Sequence, residues 1–124
     1  VIVYPEQASF YAVKLMEYMQ AKYSQGLKGF AVDVEIQSFA EIIARPDEAT
    51  AFYFFPADSR LMRKAADNAS LSSLIFVYDS DDLRYGGHIG VHVGSKTRPV
   101  INLEAVREKG INLRPVFLKI SEYY

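Results

Sequence analysis

Two histidines stand four residues apart, His88 and His92. On a strand that separation is about 13 Å at roughly 3.3 Å per residue, too far for both to ligate one ion, so structural or surface roles are expected and no metal. Asp79, Asp81 and Asp82 suggest calcium, but an EF-hand loop starting at Asp79 needs glycine where Arg84 stands and glutamate where Gly90 stands. A solvated turn is the reading. Gly86, Gly87, Gly90 and Gly94 lack the dinucleotide-binding spacing and lead into a strand rather than a helix. Ser72-Ser73 stands at a strand entrance without the Gly-x-Ser-x-Gly elbow that exposes a nucleophile. A phosphoacceptor receiver needs paired acids after its first strand and an aspartate ending its third; here those places hold Tyr4-Pro5-Glu6 and Phe54-Phe55-Pro56. No enzyme activity and no cofactor are expected.

The elements that position these residues follow from hydropathy. Val1-Ile2-Val3-Tyr4 is a short β-rich run, and Ala12, Leu15, Met16, Met19 and Tyr23 then mark one face of a helix that Gly26 can end. Phe30, Val32, Val34 and Ile36 alternate with polar or small residues, which predicts a half-buried strand over 30–36. Ser38-Phe39-Ala40-Glu41 has capping-box spacing and opens a helix that stops by Arg45-Pro46. The apolar run 51–55 predicts a central strand. Asp58 or Ser59 caps the next helix, with Leu61, Met62, Ala65, Ala66 and Ala69 inward, and 73–78 is a further strand.

Beyond Tyr78 a loop leads to a hairpin, with Ile89, Val91 and Val93 on one face, a turn near Gly94-Ser95-Lys96-Thr97, and Pro99 at a non-pairing or edge position. Asn102 caps a helix to about Lys109, Gly110 closes it, and Pro115 begins a last helix with Val116, Phe117 and Ile120 on its apolar face. The fold predicted is α/β, a mostly parallel sheet flanked by helices on both faces, with a C-terminal β-hairpin and two closing helices, in one domain over 1–124.

In such a sheet ligands meet the carboxyl ends of the parallel strands. That edge receives Tyr4, Glu6, Ser38, Phe55, Asp58, Arg60, Asp79 and Arg84. Arg60 and Arg84 have the planar forks that hold an anionic ligand, while the competing reading makes both surface charges. The same edge suits a solute-binding lobe or small-molecule carrier, the alternative to a regulatory role. The nine tyrosines can serve core packing or an interface, one between two copies of the chain included.

Charge and length narrow the classes. With 14 basic and 15 acidic residues the chain lacks the basic excess that nucleic-acid binding needs. The longest apolar runs, at five residues, fall far short of the roughly 20 of a membrane span. The absence of cysteine rules out disulfides and thiolate chemistry, and Val1 at the start reads as a mature product or an excised fragment.

The runs Gly86-Gly87-His88-Ile89-Gly90, Ile101-Asn102-Leu103-Glu104-Ala105-Val106, Gly110-Ile111-Asn112-Leu113-Arg114-Pro115 and Leu118-Lys119-Ile120 resemble the end of the YfiR-like family of bacterial periplasmic proteins. The match covers the chain from Ser73 onward; before it only the order of elements agrees. The resemblance implies a non-enzymatic periplasmic sensory or regulatory domain acting on a membrane-bound signalling protein, or fused to a signalling domain, of diguanylate cyclase or kinase type. It makes Gly86, Gly87, Asn102 and Gly110 scaffold positions. Two departures stand out: the family's usual first helix is absent here or truncated, and a thiol switch is impossible without cysteine.

Overall fold

The computed structural model describes every residue except Asp47, 70–72 and Gly94, and the backbone alone at Val93. Seven strands among the described residues make one sheet: β1 (Ile2–Tyr4), β2 (Ile36–Ser38), β3 (Ala51–Phe54), β4 (Leu74–Val77), β5 (Ile89–Val93), β6 (Thr97–Ile101) and β7 (Glu122–Tyr123). Their spatial order is β2-β1-β3-β4-β5-β6-β7. β1 to β5 run parallel, β6 returns antiparallel to β5, and β7 runs parallel to β6. The helices are α1 (Ser9–Lys22), α2 (Phe39–Ala44), α3 (Ser59–Asn68), α4 (Leu103–Glu108) and α5 (Pro115–Ile120). None of them is long and apolar enough to cross a membrane.

Alternation along the strands splits the core in two. Val3, Phe52, Phe54, Ile75 and Val77 face one side, packed with Phe39 and Ile42 of α2 and Met62, Ala65 and Ala66 of α3. Ile2, Tyr4, Tyr53 and Phe55 face the other, beneath Ala12, Leu15, Met16 and Met19 of α1. Each large ring or aliphatic chain fully removed from water stabilises the fold by roughly 1.5–3 kcal/mol. The expected α/β class is therefore present, with helices on both faces.

Local signals act as read. Ser38 and Glu41 form the complete capping box that starts α2. Asp58 caps α3, Asn102 caps α4, Gly110 follows α4 with φ +72°, and Pro115 opens α5. Pro99 lies opposite Val91, outside the stretch of β6 that β7 covers, as its missing N–H requires.

Other expectations need correction. The strand expected over 30–36 is only Ile36–Ser38, because β1 offers three residues to pair with and these lie against Ile36, Gln37 and Ser38. Val32 and Val34 still bury under α1, which accounts for the alternation without a ladder. Phe30 instead closes a tight bridge with Leu27 and is 77 % exposed. Leu61 lies on the outer flank of α3, and Val116 and Ile120 of α5 are exposed rather than inward. Val91 is exposed although Ile89 on the same face is buried. The segment 79–87, read as a plain loop, contains a 3-10 turn over Ser80–Tyr85, and β7 has no counterpart in the sequence reading. Ser72, the Val93 side chain and Gly94 lie outside the described residues.

Candidate functional site at the strand carboxyl ends

The parallel strands deliver their carboxyl ends to one edge. Register fixes which residues meet there: Tyr4 pairs with Ser38, and Val3 with Phe54, which in turn pairs with Val77. The ladder continues one residue further, since the Phe55 N–H donates to the Val3 carbonyl and the Tyr78 N–H to the Phe54 carbonyl. Tyr4, Phe55 and Tyr78 therefore stand side by side across β1, β3 and β4, on the face that carries α1. Burial grades along this row. Tyr4 and Phe55 are half-buried against α1, whereas Tyr78 is 64 % exposed.

The polar candidates lie at or just beyond the ends of these strands, and several already have structural partners. The Ser38 hydroxyl accepts from the Glu41 N–H at 3.1 Å. Asp58 Oδ1 accepts from the Arg60 N–H and Asp79 Oδ1 from the Asp81 N–H, each at 2.9 Å. These bonds settle the backbone donors that a chain leaves unpaired as it turns from strand into helix. Burial, followed by the charges of Asp79 and Asp81, raises the Asp82 carboxyl above its usual range, with Arg84 opposing. Burial and then the neighbouring Tyr78 raise the Tyr53 phenol, so the two hydroxyl groups lie within electrostatic reach.

Glu6 and Arg60 are exposed at the same edge, in the turn after β1 and the first turn of α3. The guanidinium gathered with Arg84 belongs to Arg63, not Arg60: both lie over the Tyr85 ring, 5.1 and 5.2 Å from its centre. Arg63, Tyr85 and Arg84 thus form a stack in which the tyrosine ring holds the two cations.

The glycine pair explains how the loop reaches this place. Gly86 has φ +108°, and a Cβ there would lie 2.7 Å from the Ala66 Cβ of α3. A Cβ on Gly87 would lie 2.6 Å from Val77 Cγ1. Both are scaffold positions, as is Asn102, whose Oδ1 accepts from the Ala105 N–H.

His88 is part of that scaffold. Its side chain is 1 % exposed and Nδ1 accepts from the Ile75 N–H at 2.8 Å, joining β4 to the entrance of β5. Burial, with Lys109 adding to it, pushes the imidazole pKa down to about 4. The ring is neutral at physiological pH. His92 is on the surface, 2.9 Å from the Glu122 carboxylate. The expected structural and surface roles are both realised.

An open depression of about 420 Å³ lies elsewhere, after α1, lined by Tyr23, Gly26, Phe30, Val32 and Asp33 among others. None of the expected site residues borders it. Sequence reading missed Tyr78 and Tyr53 as members of the edge. A signal existed, because three apolar runs each finish on an aromatic residue, but the alignment of those ends depends on register between distant segments.

The fold defined here occurs in known structures. An ABC domain from Streptococcus pneumoniae solved in complex with L-Trp and a conserved domain protein from Vibrio cholerae each superpose with a TM-score of 0.71 at 14% identity. In both cases 98% of this chain is covered against 53% of the other, so the chain spans about half their length. At that identity the likeness establishes the shared α/β fold. No protein-family model and no curated protein matches the sequence.

Proposed function

We propose that this chain is a non-catalytic small-molecule recognition domain of the cell envelope, taking an organic solute at the carboxyl ends of β1, β3 and β4. The observation that carries the reading is the convergence of Tyr4, Phe55, Tyr78, Asp58 and Asp79 at that edge, an apolar row bordered by oriented polar groups. The L-Trp complex of a structural neighbour supports solute binding by this fold. A solute-binding lobe is consistent with a chain that matches about half of each neighbour.

The second reading keeps the same site but gives it a different output, control of a membrane-bound signalling protein. It is favoured by the likeness of the run from Gly86 to Ile120 to periplasmic regulators. Calorimetric titration of the purified chain against a library of small organic solutes tests the recognition claim. One solute class binds, and Asp79→Ala or Tyr78→Ala weakens it; a chain that binds no solute contradicts the proposal. Capture of a signalling partner from solubilised membranes, strengthened or released by the solute, separates the regulator from the lobe.

A further inference from the structure

Helix α1 is apolar on both sides. Ala12, Leu15, Met16 and Met19 belong to the core beneath it, while Phe10, Tyr11 and Tyr18 stand outside that core and are 64, 67 and 60 % exposed. A helix that is apolar all round is one covered all round. The recognition edge does not use the outer side, since Tyr4 and Phe55 meet the helix from the sheet.

The area fits a protein partner. Leu27 and Phe30, in the turn that follows the helix, are a further 53 and 77 % exposed. Large apolar side chains and lysine stems each offer roughly 100–200 Å² at such exposure, so these five residues with the stems of Lys14 and Lys22 present on the order of 800 Å². A stable interface takes about 800 Å² from each partner.

The order of side chains along the outer face selects the occupant. Phe10, Lys14, Tyr18 and Lys22 follow one another at intervals of four, so ring and ammonium alternate along one stripe. Each lysine already lies over the ring one turn before it: Lys14 Nζ is 5.5 Å from the centre of the Phe10 ring, and Lys22 Nζ is 5.8 Å from that of Tyr18. Read backwards, the same stripe is ammonium, ring, ammonium, ring. A second copy laid antiparallel about residue 16 therefore sets Phe10 against Lys22 and Lys14 against Tyr18, and by symmetry the reverse, a ring facing a cation at every place. The flanking positions agree. Tyr11 falls opposite Ala21, large against small, and Lys14 comes beside Glu17 of the second copy, the same residue type that it pairs with at 3.8 Å in its own helix. A parallel pairing would instead oppose lysine to lysine.

We propose that the outer face of α1 is the two-fold interface of an antiparallel homodimer, built on the Phe10-Lys14-Tyr18-Lys22 stripe. It stands independently of the recognition reading, whose residues lie on the other side of the helix.

Sedimentation equilibrium of the purified chain over a range of concentrations gives twice the mass of one chain at the upper end. Tyr18→Glu raises the dimer dissociation constant by at least about ten-fold, while Lys64→Glu, an exposed change on α3, leaves it in place. Tyr18 is exposed, so an unchanged circular dichroism spectrum shows that the variant keeps its fold. Register is read separately. The chain has no cysteine, so Phe10→Cys and Lys22→Cys chains joined by a short bismaleimide report only the introduced pair. The mixture cross-links and neither variant does alone, because residue 10 lies about 18 Å along the helix from its own copy at 1.5 Å per residue. A chain that stays monomeric at every concentration, a dimer indifferent to Tyr18→Glu, or cross-linking of Phe10→Cys to itself would overturn the proposal. So would a monomer whose α1 face binds anionic lipid vesicles, which would make the stripe a membrane contact.

Discussion

The His88 imidazole couples protonation to folding. Its folded pKa of about 4 lies below the ordinary 6.5, so the native state resists the proton. Above pH 6.5 both states hold the ring neutral. Between 6.5 and about 4 the unfolded chain binds a proton that the native chain does not, so stability falls as the pH drops through this window. The loss reaches on the order of 3 kcal/mol and levels off below the folded value. Urea denaturation followed across this range shows the slope. His88→Ala flattens it while costing about 2–4 kcal/mol at neutral pH, because the Ile75 N–H loses its buried acceptor and a cavity remains. The exposed His92–Glu122 pair behaves differently: Glu122→Gln changes stability by less than about 1 kcal/mol in the same assay.

Elements set by nearby residues were legible in the sequence, and those set by distant pairing were not. Ser38 with Glu41, Asn102, and Pro115 satisfy or avoid backbone donors within three residues of themselves, so side-chain chemistry alone announces them. The segment 30–36 shows the opposite case, since its alternation reports burial under α1 while the ladder is decided by the length and register of β1. The aromatic row was hidden for the same reason. Two tests belong to this scale. Ser38→Ala lowers the unfolding free energy by about 1 kcal/mol through the lost cap of α2, measured by chemical denaturation. Gly86→Val costs about 2–3 kcal/mol or more, since the side chain meets Ala66 and the backbone has positive φ; a thermal melt unchanged by this substitution would contradict the account of the loop.

For the whole molecule, the sheet topology decides which residues share the edge of the proposed recognition site. Parallel order from β2 to β5 collects strand ends, helix starts and the acidic loops at one edge, while the antiparallel pair β5 and β6, with β7 beyond, extends the sheet on one side. The Gly86-Gly87 hairpin entrance and the Asn102 cap hold this arrangement, and the proposed recognition falls to the residues that end β1, β3 and β4. The most direct test is backbone amide NMR with a solute that the chain binds. The account predicts shifts concentrated at Tyr4 to Glu6, Phe55 to Asp58 and Tyr78 to Asp82. Shifts confined to Tyr23 to Asp33, around the open depression after α1, would contradict it.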